Sequence, residues 1–220
     1  MTLARKLFWI LPAMFLYGLG VYCIIQANIG LAPWEAFHAG VSGATGISFG
    51  NIVLLTGLAI LAVDVLLKEK IGIGTVINTL VIGKVVDLLN FMDVLPKAQD
   101  FLSGVGILFV GQFFVCLATA LYVSAGMGSG PRDSLMVALG KRLPKVPIGA
   151  VRGVLEGAVL FVGWVLGAKV GLGTVIAVLS IGMIMQFTFR VLRFEVKEVR
   201  HESVADTLHS LRRPRLSLHT

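Results

Sequence analysis

Six stretches of this chain, 7–25, 47–67, 74–89, 102–123, 151–166 and 172–191, run almost without charge for about the length a helix needs to cross a bilayer. A hydrocarbon core about 30 Å thick takes about 20 apolar residues of helix. The chain is therefore expected to be an all-α polytopic membrane protein. Its 56% hydrophobic composition and mean hydropathy of +0.90 lie outside the range of soluble globular domains. The first run follows Arg5 and Lys6, is too long for a signal-peptide core, and precedes no convincing cleavage site, so it reads as a retained span. Cys23 and Cys116 both fall inside predicted spans, where a thiol behaves as a small hydrophobe; neither a disulfide nor a metal site is expected.

The runs repeat. "ANIGLAPWEAF" at 27–37 reappears as "AGMGSGPRDSL" at 125–135, with Pro33 in register with Pro131, Trp34 with Arg132 and Glu35 with Asp133. "GIGTVINTLVIGKVVD" at 72–87 is echoed by "GLGTVIAVLSIGMIMQ" at 171–186, and the register moves by one residue between the two matched blocks. This is an internal duplication with the same order of elements in each half. It divides the chain into a first membrane repeat, 1–95, a second, 96–191, and a basic tail, 192–220.

Lys and Arg in short loops set orientation. A cytoplasmic N-terminus places Arg5, Lys6, Lys68, Lys70, Arg132, Lys141, Arg142, Lys145 and the tail inside, and leaves mainly Lys97 and Lys169 outside. An alternative with eight crossings would move Lys68, Lys70 and Arg132 outside, and its two extra segments are too short to span. Three spans per half is an odd number, so the halves are expected to run in opposite directions, a 3+3 inverted repeat with both termini cytoplasmic in the cell membrane. Such repeats are typical of secondary transporters, whose sites lie between the halves beside Gly/Pro-interrupted helices.

The opening motifs supply such helices. Proline suits the first turn of a helix and a carboxylate just after it suits the positive end of the dipole, so "APWEAF" and "GPRDSL" read as starts of two additional short helices. Two readings stay open. Each helix lies along the interface, with Trp34 as an aromatic-belt residue and Arg132 as a snorkelling anchor; or both dip inward and aim their positive ends, with Arg132, at one cavity suited to an anionic or zwitterionic ligand.

The remaining polar residues inside spans carry the same two readings, since an ionisable side chain in a membrane helix usually faces the bundle interior. Arg152 and Glu156 stand four apart, and Lys84 and Asp87 three apart, both spacings for intrahelical ion pairs. Asn78 and Gln186 are amides suited to interhelical hydrogen bonds or to a ligand. Asp64 is expected near a solvated end. His38 could titrate near neutrality, although one histidine makes neither a switch nor a metal site. The candidate substrate-binding set is Trp34, Glu35, Asn78, Arg132, Asp133, Arg152, Glu156 and Gln186. Gly18 with Gly20, Gly50 with Gly57, and Gly149 with Gly153 read as helix-packing positions. Gly72-Ile-Gly74-Thr75 and Gly171-Leu-Gly173-Thr174 lack the lysine of a phosphate loop and read as tight helix starts.

At these residues the chain resembles the YczE/YitT-type family of bacterial integral membrane proteins, closest to its YczE branch, over about 16–189. Gly130-Pro131-Arg132-Asp133 followed by Arg152 and Glu156 looks like that family's second-half motif. Trp34 with Glu35 matches the first-half motif, where the family more often has Asp; the swap keeps the charge and lengthens the side chain. The resemblance implies membrane placement and brings no substrate with it.

The tail, with mixed charge and a final "RRPR", suits attraction to anionic lipid, and 196–211 suits a short amphipathic helix. The net charge of +7 is explained by the positive-inside bias, which leaves nucleic acid out of the expected partners. Those partners are the lipid bilayer, a small polar or anionic solute and, in a homodimer, a second copy of the chain. Two functions fit: a secondary transporter or permease, or a non-transporting component supporting a partner enzyme or transporter. No Ser/His/Asp set, HExxH motif or ATPase signature occurs, so no enzyme activity and no cofactor are expected.

Overall fold

A computed structural model describes residues 3–193 apart from 70, 125, 127 and 129. The amphipathic segment expected at 196–211, and the tail beyond 193, lie outside the described residues. The described residues form eight helices: α1 (Leu3–Gln26), α2 (Pro33–Thr45), α3 (Phe49–Leu66), α4 (Ile73–Met92), α5 (Phe101–Ser124), α6 (Pro131–Arg142), α7 (Ile148–Val165) and α8 (Leu172–Val191). Among the described residues, α3, α4, α5, α7 and α8 are long and apolar enough to cross a hydrocarbon core, and α1 adds a shorter apolar stretch, Ile10–Gln26. The chain is thus a polytopic helical membrane protein.

In lipid, apolar side chains gain little by meeting one another, so helix contact rests on small residues that let backbones approach. The central crossing, α1 against α5, follows this rule: a Cβ on Gly20 would stand 2.7 Å from the Gly111 carbonyl oxygen, and a Cβ on Gly111 the same distance from that of Gly20. α4 packs on α1 and α8 on α5. Each short helix packs on a long helix of the other repeat, α2 chiefly on α7 and α6 on α3. In the α2–α7 contact a Cβ on Gly40 would meet the Gly163 carbonyl oxygen at 2.6 Å.

The repeats also interlock through the loops before the short helices. Gly30 (φ 131°) and Gly128 (φ 114°) adopt backbone conformations that residues with a Cβ rarely reach. A Cβ at Gly30 would press on the backbone of Gly171 and Thr174 at the start of α8, and one at Gly128 on Gly72 and Thr75 at the start of α4. The Gly173 N–H donates to the Ile29 carbonyl at 3.0 Å, and the Leu31 N–H to that of Lys169 at 3.0 Å. The two Gly-x-Gly-Thr stretches are therefore docking platforms for the partner repeat's glycine loop.

The α3–α4 pair is clasped. Ser48 caps α3 by accepting the Asn51 N–H, and Asp87 of α4 accepts the Ser48 hydroxyl at 2.7 Å and the Gly50 N–H at 2.8 Å. Lys84 donates to the Asn51 side-chain oxygen at 2.6 Å. The expected Lys84–Asp87 pair along α4 is thus corrected: both side chains turn to α3, because Gly50 and Gly83 bring the backbones so close that a Cβ on either would overlap the other's carbonyl oxygen. The repeat puts Pro147, Gly149, Ala150, Gly182, Met183 and Gln186 at the corresponding positions of α7 and α8. α7 and α8 are not packed on one another. A Cβ added at Gly149, Gly153 or Gly182 would meet nothing within 4 Å, so Gly149 and Gly153 are not the packing positions the sequence suggested.

Candidate functional site: a cavity between two proline-initiated helices

Both short helices begin as their sequences require. α2 starts at Pro33 after an extended Ala32, with Glu35 in its first turn; α6 starts at Pro131 after an extended Gly130, with Asp133 in its first turn and Lys141 and Arg142 in its last. The missing proline N–H falls where a helix leaves its first N–H groups unpaired, and the flanking charges complement the dipole. Pro33 and Pro131 are both buried. The two starts line one cavity of about 790 Å³, to which all eight helices contribute.

Residues in register across the duplication meet there. The Arg132 guanidinium reaches the other repeat, 3.4 Å from the Glu35 carboxylate and 4.9 Å from the centre of the Trp34 ring. A delocalised guanidinium suits both contacts, one as an ion pair and the other over an aromatic face. Trp34 is thus a cavity residue beneath Arg132, and Arg132 forms its ion pair with Glu35 of the facing half of the chain. Asp133 also lines the cavity, within electrostatic reach of Arg152, Arg132 and Glu156. Arg152 donates through Nε to Glu156 at 2.7 Å, one turn apart on α7, with both side chains partly open to the cavity.

The cavity wall carries Lys68, Arg132, Lys141 and Arg152 against Glu35, Glu69, Asp133 and Glu156. The charges balance, in a wall otherwise largely apolar. Such a chamber can hold a solute with charge or hydrogen-bonding groups at one end, and its paired cations and carboxylates offer partners for both signs.

Of the remaining candidates, Asn78 is buried on the cavity wall. Gln186 is exposed and does not line the cavity. Its place on α8 matches Asp87 on α4, a helix-pairing position, and α8 has no partner there. Asp64 is also corrected: it is fully buried, because α6 covers the end of α3. His38 is 1% exposed, stacked among Trp34, Phe37 and Phe49, with neither ring nitrogen hydrogen-bonded. Cys23 and Cys116 are buried free thiols. Among the described residues no three His, Cys, Asp or Glu side chains are grouped to hold a metal.

Several wall residues escaped the sequence reading. Tyr122 accepts the Gly130 N–H at 3.1 Å and so fixes the start of α6. Gln112 donates to the Ala177 carbonyl at 2.8 Å and accepts the Ser180 hydroxyl at 2.6 Å, holding α5 to α8. A polar side chain in the middle of an apolar run was the available signal for Gln112.

Residues 4–190 match the model of a family described as a family of unknown function (DUF6198). An "Uncharacterized protein" of Haemophilus influenzae is 32% identical over 183 residues, covering 83% of each chain. The "Uncharacterized membrane protein YczE" of Bacillus subtilis is 29% identical over 177 residues, covering 80% of this chain and 81% of that one. "Uncharacterized protein YyaS" of Bacillus subtilis is 26% identical, covering 78% of this chain and 86% of that one. No solved structure matches the chain. With the two proline-initiated motifs joined in one cavity and this likeness running along nearly the whole described chain, the protein belongs to the YczE-type family of membrane proteins, DUF6198.

Proposed function

We propose that this chain is a secondary transporter or permease for a small polar or anionic solute, zwitterions included, and that the chamber between α2 and α6 holds that solute. In this reading the halves form a 3+3 inverted repeat, both termini are cytoplasmic in the cell membrane, and α2 and α6 are the interrupted elements that such proteins use to build a site. The observation that carries it is the meeting of Arg132 with Glu35 and Trp34: matched segments of the two halves face one another across one chamber. A solute carboxylate or phosphate would compete with Glu35 for the guanidinium, and a cationic group with Arg132 for Glu35. The reading is non-enzymatic, and any flux draws on a gradient or on another polypeptide.

The test starts with the purified protein in detergent, its melting temperature recorded against a panel of zwitterionic and anionic solutes, and continues with uptake of any stabilising solute into liposomes. Arg132→Gln is expected to fold to normal yield, lose the solute-dependent shift and lose uptake. Absence of any shift across the panel, or an unchanged shift in Arg132→Gln, would remove the cavity from consideration as a transport site. The unpacked faces of α7 and α8 favour the alternative, a non-transporting component supporting a partner. In that case a cysteine introduced at Gly153 would cross-link to another polypeptide in native membranes, and no solute would move.

A further inference from the structure

Asp64 has no role in the chamber's ion pairs, yet it is the carboxyl most thoroughly removed from solvent among the described residues. Its side chain is 0% exposed, and neither oxygen accepts a well-formed hydrogen bond. The polar side chain turned toward it is Ser134, on the second turn of α6. The matched crossing of α2 and α7 is built without a carboxyl at this position. Asp64 corresponds to Gly163 of α7, and Ser134 to Ala36 of α2. At that crossing a Cβ on Gly163 would strike the Ala36 backbone, so two helices close without any side chain between them. The α3–α6 crossing carries a carboxyl in the same place.

None of the ion pairs among the described residues includes it. Beside Ser134 on α6 stand Arg132 and Asp133, and Arg132 is paired with Glu35 of α2; Lys68, one turn along and just past the end of α3, is exposed. At its own end of α3 stand Lys68 and Glu69, with Lys141 and Arg142 of α6. Lys141 is paired with Glu69 at 2.6 Å, and Arg142 donates to the carbonyls of Leu67 and Ala138. On α4 the charged groups are Lys84 and Asp87, engaged with Asn51, Ser48 and Gly50 at the opposite end of α3. His38 of α2 likewise stacks on Phe49 at that opposite end. An ionised carboxylate with no partner is among the costliest groups to enclose, and inside a membrane bundle it marks a proton or ion path.

We infer that Asp64 is a proton-binding site that latches α6: its carboxyl is protonated while α6 is seated on α3, and loss of the proton to water accompanies release of α6. The helix that would move carries Arg132 and Asp133 directly before Ser134, inside the chamber. Protonation at Asp64 is thereby tied to the position of the groups that face the solute, and its use in proton-coupled transport rests on the function proposed above.

The experiment uses the full chain in liposomes, with Cys23 and Cys116 replaced by Ala and a single cysteine at Ala138, a fully buried α6 position. Modification by a membrane-impermeant thiol reagent is followed against pH and compared with the same chain carrying Asp64→Asn. Asp64→Gly, copying the corresponding Gly163, is the second variant should Asn disturb folding. In the chain with Asp64, reactivity is expected to rise with pH more steeply than in either variant, by up to about tenfold per pH unit, the limit for one proton. Both variants are expected to stay protected. Infrared difference spectra across the same range should show a protonated-carboxyl band that Asp64→Asn removes. Identical pH profiles with and without Asp64, no band lost in the variant, or protection controlled by sodium at fixed pH would each overturn the site. Latching by Asp64 with no solute moved would leave the proton site standing and defeat the transport reading; pH-driven flux unchanged in both variants would do the reverse.

Discussion

α3 with α4 and α7 with α8 carry matched stretches of sequence, and they differ most where the first pair is held together. In the first pair Ser48, Asn51, Lys84 and Asp87 form a polar clasp over the Gly50–Gly83 contact. In the second, Pro147 and Ala150 cannot donate to a partner through a side chain, Met183 is largely exposed, and Gln186 faces outward. Both α7 and α8 still contribute to the chamber wall, although they do not pack on one another. Small residues permit close approach of membrane helices, and directional polar contacts decide whether the approach is used. Gly149 and Gly182 remain, but the groups that would draw them together do not.

The strongest way to break this contrast is to place a branched side chain at matched glycines. Gly50→Val should destabilise the protein by about 3 kcal/mol or more, since backbone rather than a flexible side chain fills the space. Gly149→Val should stay within about 0.5 kcal/mol, as expected for a substitution into open surroundings. Unfolding of both variants in mixed detergent micelles measures the difference, and equal losses would mean that α7 and α8 close in the membrane.

A subtler comparison removes the polar groups. Asp87→Ala orphans the Ser48 hydroxyl and the Gly50 N–H and should cost about 2 kcal/mol, whereas Gln186→Ala should cost nothing measurable. Disulfide trapping between cysteines placed at Asn51 and Lys84 offers a second readout, with slower closure expected once Asp87 is lost.

How much of this was legible beforehand depends on range. Five of the six expected spans followed from apolar length, the first being a shorter apolar stretch among the described residues, and the short helices followed from Pro33 and Pro131, because both signals are local. Glu35 as the partner of Arg132 was not legible, since the contact joins segments far apart in the chain and Asp133 stood next door. The burial of Asp64 was hidden for the same reason: its place near the end of an apolar run suggested water, and only the path of α6 covers it. Lys84 and Asp87 had helical pairing spacing, but a neighbouring helix close enough to touch outcompeted it.

Beside the open pair, Arg152 and Glu156 offer a smaller test. Their hydrogen bond is short, but both side chains are partly exposed, so Glu156→Ala should cost less than about 1 kcal/mol, and Arg152→Gln in the same chain should bring little further loss. A larger cost for the single change, relieved by the double one, would show that the gap is closed to water and the pair dry.

The smallest effect belongs to neither pair and serves as their common baseline. Asp100, exposed at the start of α5, accepts the Ser103 N–H at 2.8 Å and the Ser103 hydroxyl at 2.7 Å. These bonds hold its carboxyl below the ordinary value of 3.8. A depressed carboxyl stabilises the fold above the unfolded value and loses that contribution as pH falls through the lower, folded one. Asp100→Ala should therefore flatten the acid end of the melting-temperature profile and do so equally in the Gly50 and Gly149 variants.

The reciprocal seating of Gly30 on the start of α8 and Gly128 on the start of α4 also has a consequence for synthesis. When the ribosome has finished the first repeat, its glycine loop has no seat, because Gly171 to Thr174 are still to be made. The second loop finds α4 already in place. Insertion would therefore proceed with an unfinished joint in the older half until α8, the last of the described helices, completes the first glycine loop. Truncations that remove only α8 should accordingly unsettle residues near the N-terminal end of α2, far from the cut, and expose them to protease while the second loop stays protected.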